Sequence, residues 1–216
     1  MAQLNAAKSL ENAVRMLEVF EACGTGGTAS ESRAAFDAAL ATAEGRSAIA
    51  AAVEGQEGHF DLLGLQLGFT YGAGAGPVLD DGTPAVEVDD PVHTYVPTTR
   101  PGGRLPHAWV TRNGRRTSTL DLVGPDRWLL LTASPAWAGA GDRIAAGPVP
   151  LSVVLMGRDA QDVDGRWAAV SGLGDGGAIV VRPDQHVAWR SRGASAEPDA
   201  VLLGALTELT GLAVGS

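Results

Sequence analysis

Cysteine is all but missing: Cys23 is the only one in 216 residues. That excludes an internal disulfide, a Cys-x-x-Cys redox pair and any multi-cysteine zinc site. Cys23 falls near the end of an apolar helical stretch, where a free thiol packs as a small apolar group. Positive charge is also scarce. Sixteen Lys and Arg face 25 Asp and Glu, the net charge is −9, and no basic cluster exceeds the run from Arg112 to Arg116. Nucleic acids and anionic membranes draw most of their binding energy from cations on phosphate, so neither is expected as a partner. Long apolar runs are absent. Stretches such as Trp128–Thr132 and Val149–Met156 fall far short of the roughly 18–20 residues that span a bilayer. Lys8, Glu11 and Asn12 interrupt any signal-peptide core, so a cytoplasmic location is the expectation. No His-Glu-x-x-His, Gly-x-Ser-x-Gly or phosphate-loop signature occurs. The four histidines (His59, His93, His107 and His186) are too scattered to imply a metal site or a triad.

What is present fits a globular chain, 45% apolar and 19% charged, long enough for one domain or a small domain with an appendage. Its 29 glycines exceed the usual share of about 7%. Tight loops with close backbone contacts account for that, and so does the codon bias of a GC-rich genome.

The first sixty residues read as helical. Over 5–23, Leu10, Val14, Leu17 and Glu21 share one face with Ala7 and Phe20 alongside, and Gly24 is the stop. Residues 31–43 and 46–57 follow as Ala-rich helices, entered through Ser30 and Ser47 and parted near Gly45. Such helices bury little area, so they call for a partner surface. Residues 61–117 read as an extended, wrapping connection punctuated by Gly, Pro and Asp, with one or two short strands.

From Ser118 the pattern becomes regular. Leu120–Leu122 and Trp128–Leu131 read as strands and 135–147 as a short helix. The apolar run Leu151–Met156, interrupted by Ser152, suits a strand buried on both faces. Trp167–Leu173 reads as another short helix. Ala178–Arg182 and His186–Arg190 flank Pro183-Asp184-Gln185 as a hairpin, and a last helix has Ala196-Glu197-Pro198-Asp199 at its start and Val201, Leu202, Ala205, Leu206 and Leu209 on its apolar face. The order βαβ then ββα is the thioredoxin topology. The fold class expected is therefore α/β: a thioredoxin-like C-terminal domain over 118–214, preceded by the helical segment 1–60 and the extended linker.

Three motifs come near to known chemistry. Gly172-Leu-Gly174-Asp-Gly176-Gly177 has dinucleotide-loop glycines, but they lead into the strand Ala178-Ile-Val-Val rather than a helix, so this is a tight turn. Gly72-Ala-Gly74-Ala-Gly76-Pro77 fails because the proline and the acidic loop after it prevent a helix. Asp162-Val-Asp164-Gly165 resembles part of a calcium loop, but aligning its glycine puts Ala160 and Ser171 at the first and last ligand positions. The most distinctive segment is Arg100-Pro-Gly-Gly-Arg104-Leu-Pro-His107-Ala-Trp109. Its prolines fix the backbone, its glycines allow close approach, and Arg100, Arg104 and His107 offer directed donors. Two readings stand: a ligand contact made by Arg100, Arg104, His107 and Trp109, or a clamp that holds the extended connection.

These residues carry a resemblance. His59-Phe-Asp-Leu-Leu-Gly-Leu-Gln-Leu-Gly-Phe-Thr-Tyr71, then Tyr95-Val-Pro-Thr-Thr-Arg-Pro-Gly-Gly-Arg-Leu-Pro-His-Ala-Trp109 and Ser118-Thr-Leu-Asp-Leu122, resemble the C-terminal third of 2,4-dichlorophenol 6-monooxygenase-like enzymes. These belong to the para-hydroxybenzoate hydroxylase class, which also supplies aromatic polyketide hydroxylases. Val180-Val-Arg-Pro-Asp-Gln-His-Val-Ala-Trp-Arg190 is similar to the hairpin of their C-terminal thioredoxin-like domain. Ala7-Lys-Ser-Leu-Glu-Asn-Ala-Val-Arg-Met-Leu-Glu-Val-Phe20 is similar to the helix leaving their flavin domain. The resemblance implies that FAD binds through a Rossmann fingerprint upstream of the region seen here, that NAD(P)H reduces it, and that a phenol is oxygenated. None of those flavin motifs occurs in 1–216, so no cofactor is expected in this chain and no catalytic residue carries over. The expectation is a non-flavin-binding portion that packs, oligomerises or complements, with a flavoprotein or a second copy as partner. The alternative is a free-standing cyclase, isomerase or ligand-binding protein for an aromatic polyketide.

Overall fold

A computed structural model describes residues 2–72 and 76–212. The Gly72–Pro77 glycine motif lies partly outside the described residues. The chain forms two units that are interleaved in sequence. One comprises Met1–Leu67 with Val88–Tyr95, the other Gly68–Glu87 with Val96–Ser216. Among the described residues no helix is long and apolar enough to cross a membrane.

The first unit is helical: α1 (Ala2–Ala22), α2 (Ala29–Ala41), α3 (Ala43–Glu54) and the short α4 (Glu57–Phe60) and α5 (Leu63–Leu67). The caps differ from the expected Ser30 and Ser47. Thr28 and Glu31 form a reciprocal capping box, the Thr28 amide donating to Glu31 Oε2 at 2.8 Å and the Glu31 amide to Thr28 Oγ1 at 3.3 Å. Thr42 Oγ1 accepts from Gly45 N at 3.0 Å, so α3 starts there and Ser47 lies inside it. Arg15 and Gln56 tie α1 to the end of α3: Arg15 Nη1 donates to Gly55 O at 2.7 Å and Gln56 Nε2 to Arg15 O at 2.8 Å. Apolar burial is slight. Among the described residues, none of the buried apolar residues belongs to this unit, whereas Leu10, Val14, Leu17 and Phe20 of α1 are all exposed.

The second unit is mixed α/β. A four-stranded sheet of β3 (Trp128–Thr132), β4 (Leu151–Leu155), β6 (Ala178–Val181) and β7 (Val187–Ser191) has the order β4-β3-β6-β7. β3 pairs parallel with β4 through α6 (Pro135–Ala145) and antiparallel with β6; the β6–β7 hairpin leads to α8 (Pro198–Thr210). The connection order is βαβ, then ββα. Alternate residues feed two cores. Leu130, Val180 and Ala188 join Trp137 and Ile144 of α6 with Leu202, Leu206 and Leu209 of α8. Leu129, Leu131, Ile179, Val181 and Val187 meet Leu105, Val110, Leu122 and Trp167 on the opposite face. Both faces are covered, which is why Trp128–Leu131 and Ala178–Val181 read as unbroken apolar runs.

A smaller sheet, β2-β1-β5, is built from β1 (Trp109–Arg112), β2 (Arg115–Ser118) and β5 (Gln161–Asp162), with α7 (Arg166–Ser171) next in the chain. The β1–β2 turn holds Asn113 at φ 51° and Gly114 at φ 73°, the left-handed pair of a two-residue hairpin. Leu120–Leu122, expected as a strand, lies in a 3₁₀ turn over Thr119–Leu122. Ser118 Oγ accepts from Leu120 N at 3.1 Å and Asp121 Oδ2 from Ser118 N at 3.0 Å, so a local cap overrides the apolar alternation.

α6 lies close to its sheet because of one glycine. A Cβ on Gly141 would stand 2.4 Å from Leu130 Cδ2 and 2.9 Å from Val153 Cγ2. Gly141→Ala overpacks this contact and should lower stability by about 1–3 kcal/mol in denaturant unfolding, despite the higher helix propensity of alanine. A neutral or stabilising result would show that the helix can back away freely.

Candidate functional site

The distinctive Arg100–Trp109 segment runs beside β7, an edge strand of the four-stranded sheet. Gly102 N donates to Val187 O at 2.7 Å, Val187 N to Gly103 O at 2.9 Å and Leu105 N to Gln185 O at 2.8 Å. Gly102 sits at φ +90°, and a Cβ there would be 2.2 Å from the Tyr71 carbonyl oxygen. Tyr71 N in turn donates to Gly102 O at 2.9 Å. The segment therefore covers a sheet edge whose amides and carbonyls would otherwise be open to another strand.

The four residues singled out in the sequence go to two places. Arg100 Nε donates to Thr83 O at 2.6 Å, and its Nη2 lies 3.9 Å from Asp80 Oδ1. Arg104 Nη2 donates to Gln185 Oε1 at 3.0 Å. Both guanidinium groups are engaged in holding loops beside the β6–β7 hairpin. His107 and Trp109 instead sit on the small sheet, with ring centroids 4.8 Å apart and edge to face. Arg116 Cζ lies 4.1 Å over the Trp109 ring, and His107 Nδ1 shares a 2.8 Å hydrogen bond with Ser118 Oγ. The result is an exposed ladder of His107, Trp109 and Arg116. Ser118 is itself buried and occupied in capping the 3₁₀ turn.

Beneath the segment lies a knot that the sequence did not reveal. Arg190 of β7 is 8% exposed. Its Nε donates to Asp81 Oδ2 at 2.7 Å, its Nη2 to Thr83 Oγ1 at 2.6 Å and its Nη1 to Thr99 Oγ1 at 3.2 Å. Thr99, almost fully buried, donates onward to the Ser171 carbonyl. One guanidinium thus ties residues 81–83, Thr99 and, through it, the end of α7 to the outer strand. Tyr71 packs nearby against His186, ring centroids 4.8 Å apart, with Arg182 Cζ 4.6 Å over its ring.

The glycine run Gly172–Gly177 does not fit a flavin or nicotinamide pyrophosphate. It leads into β6, and a Cβ on Gly176 would be 2.7 Å from Ala194 N, so protein backbone fills the place a phosphate would need. Thr132 Oγ1 and Trp137 Nε1 donate to the Gly177 and Gly176 carbonyls at 2.7 and 2.9 Å, fixing the run as a structural loop. Of the calcium-like pair, Asp162 Oδ2 accepts from Ala168 N at 2.9 Å and Asp164 Oδ1 from Arg166 N at 3.1 Å, so both serve the first turn of α7.

Partial burial pushes the Asp81 carboxyl up, but the Thr83 hydroxyl and amide and the Arg190 guanidinium outweigh it, so its pKa lies below the ordinary aspartate value. A depressed carboxylate contributes stability that is present above its unfolded pKa and lost as pH falls through the folded one. Unfolding measured from pH 6 down to pH 2 should therefore show an acid loss of stability that Asp81→Asn flattens. Arg190→Met should cost about 3 kcal/mol at neutral pH, the low end for stranding one member of a buried pair. Unchanged acid dependence in Asp81→Asn would remove Asp81 from the account.

Comparison with known proteins agrees with this architecture. Residues 98–213 match the family described as "Aromatic-ring hydroxylase, C-terminal". The chain is 34% identical to 2,4-dichlorophenol 6-monooxygenase of Delftia acidovorans over 68% of its own length and 26% of that protein's. It is 37% identical to aklavinone 12-hydroxylase RdmE of Streptomyces purpurascens over 65% of its length and 26% of that protein's. Among solved structures, the flavin-dependent monooxygenase PieE, in complex with FAD and substrate, superimposes with a TM-score of 0.72 at 32% identity, covering 95% of this chain and 38% of PieE. The chain spans about a quarter of the length of the curated relatives it matches. With more than half of its residues inside the family match, the chain belongs to the aromatic-ring hydroxylase C-terminal family.

Proposed function

We propose that this chain is the non-flavin-binding C-terminal portion of a flavin-dependent aromatic hydroxylase, and that it acts by completing a flavoprotein portion through its helical unit. The observation that carries this reading is the lack of apolar burial in that unit. Among the described residues, none of its apolar side chains is buried, while Leu10, Val14, Leu17 and Phe20 are 69%, 53%, 58% and 47% exposed. Ordering a residue costs about 1–2 kcal/mol of backbone entropy, and burial of apolar area is the main term that offsets it. Helices ordered without a core therefore take their stabilisation from a surface that covers the α1 face.

In this reading FAD and NAD(P)H serve the portion of the relatives that the chain does not span, and the aromatic substrate is bound and oxygenated there. The thioredoxin-like unit, without redox cysteines, contributes packing. Arg100 and Arg104 act as clamps through Thr83 and Gln185. His107 and Trp109 belong to a separate exposed face, available to a partner or an aromatic molecule.

The test is co-expression with the flavin-binding portion of a related hydroxylase that lacks its own C-terminal region. The two should co-elute in size exclusion, and NAD(P)H-driven oxygen consumption should rise about tenfold or more over the flavin portion alone. Leu17→Glu should abolish co-elution while the α/β unit keeps its melting temperature. A chain that stays monomeric with every flavin portion tried and keeps full helix content alone would overturn the reading. Self-association that Leu17→Glu disrupts, with no flavoprotein complex, would replace the flavoprotein by a second copy.

A further inference from the structure

The α/β unit carries a concavity that the exposed helix face does not use and that meets the Arg190–Thr99 clamp only at Ser171. It has a volume of about 310 Å³ and opens at the carboxyl ends of the parallel strands β3 and β4. Ala133 follows β3 and Met156 follows β4; Asp162 of β5, Trp167 of α7 and Leu173 complete most of the wall. In α/β sheets this end of a parallel strand pair is where ligands lodge, because the chain leaves the sheet there and opens a crevice.

The lining sets the chemistry. Trp167, Met156 and Leu173 provide an apolar wall, and Trp167 is held rigidly, with only 6% of its surface exposed. Asp162 and Asp175 are the only charged residues in the lining, which includes no Lys, Arg or His. Asp162 is half spent: Oδ2 accepts from Ala168 N at 2.9 Å, while Oδ1 is buried with no hydrogen-bond partner. A buried acceptor without a donor is costly, and a cationic donor satisfies it best. An anion entering here would meet two carboxylates and no counter-charge. The volume is at the small end of the roughly 300–1,000 Å³ range of ligand pockets, which suits one ring with a short tail.

We infer that this crevice binds a small aromatic amine, its ring against Trp167 and Met156 and its ammonium toward Asp162 and Asp175. The site is independent of the flavoprotein contact proposed above, since none of its wall residues belongs to the helical unit.

The experiment is calorimetric titration of the purified full chain with 2-phenylethylamine, 2-phenylethanol and 3-phenylpropionate, which share ring and tail but differ in charge. Binding of the amine should saturate at one site with a Kd of about 1 mM, the scale of a ring-sized ligand. The acid should bind at least tenfold more weakly, with the alcohol between them. Ala133→Phe and Ala168→Phe, both at exposed rim positions that leave the fold untouched, should each weaken the amine at least tenfold. Asp162→Asn keeps an acceptor for Ala168 N and should erase the preference for amine over alcohol. Equal binding of amine and acid, no saturable binding of the amine, or full affinity in both rim variants would each overturn the assignment.

Discussion

The arrangement of the α/β unit hangs on one buried charge. Arg190 points inward from the edge strand β7, where taking a guanidinium out of water would cost several kcal/mol if it stood alone. It does not: Asp81, Thr83 and Thr99 accept from all three of its nitrogens. Removing the loop that carries Asp81 and Thr83 would leave the charge unmet, so a segment with little apolar content of its own is held in place by it. The same loops cover the edge of β7 and set Gly102 against Tyr71. A polar interaction thus determines the course of a connection that hydrophobic burial alone would leave undetermined.

Much of the sheet was legible in the sequence. Val, Ile and Leu runs of strand length at 128–131, 151–156 and 178–182 admit few alternatives when both faces are covered. Pro183-Asp184-Gln185 and Pro198-Asp199 punctuate them unambiguously. The β1–β2 hairpin was readable too, because Asn113-Gly114 between Trp-Val-Thr-Arg and Arg-Arg-Thr-Ser is a strong two-residue turn signal, but the surrounding Gly and Pro made the whole stretch look extended. Leu120–Leu122 misled because its apolar alternation is that of a strand, and only the Ser118–Asp121 cap reveals the turn. At the site, Arg100, Arg104, His107 and Trp109 look like a constellation because they are neighbours in sequence. The partners that divide them, Thr83, Gln185 and Ser118, are distant in sequence and follow no local pattern. Arg190 was hidden for the same reason: Asp81 lies 109 residues away along the chain.

The two units differ in what stabilises them. The four-stranded sheet buries side chains on both faces. The helices rely on local devices: a capping box at Thr28, a threonine cap at Thr42, and the Arg15 and Gln56 bonds that join α1 to the end of α3. Devices of that kind contribute about 1 kcal/mol each and decide where helices start, but they do not replace a core. In the function proposed above, the part of the relatives that this chain does not span would cover the α1 face.

The interleaving of the units bears on how such a protein can be divided. The backbone passes from the helical unit into the α/β unit at Gly68, returns over Val88–Tyr95, and leaves again at Val96. No single cut separates the two. A recombination or gene-fission event that kept the whole sheet with its clamps would carry Val88–Tyr95 along as a stranded passenger. An event that discarded everything before Val96 would remove Asp81 and Thr83 and leave Arg190 buried beside Thr99 alone. The stretch from the helices through the sheet is therefore inherited most safely as one block.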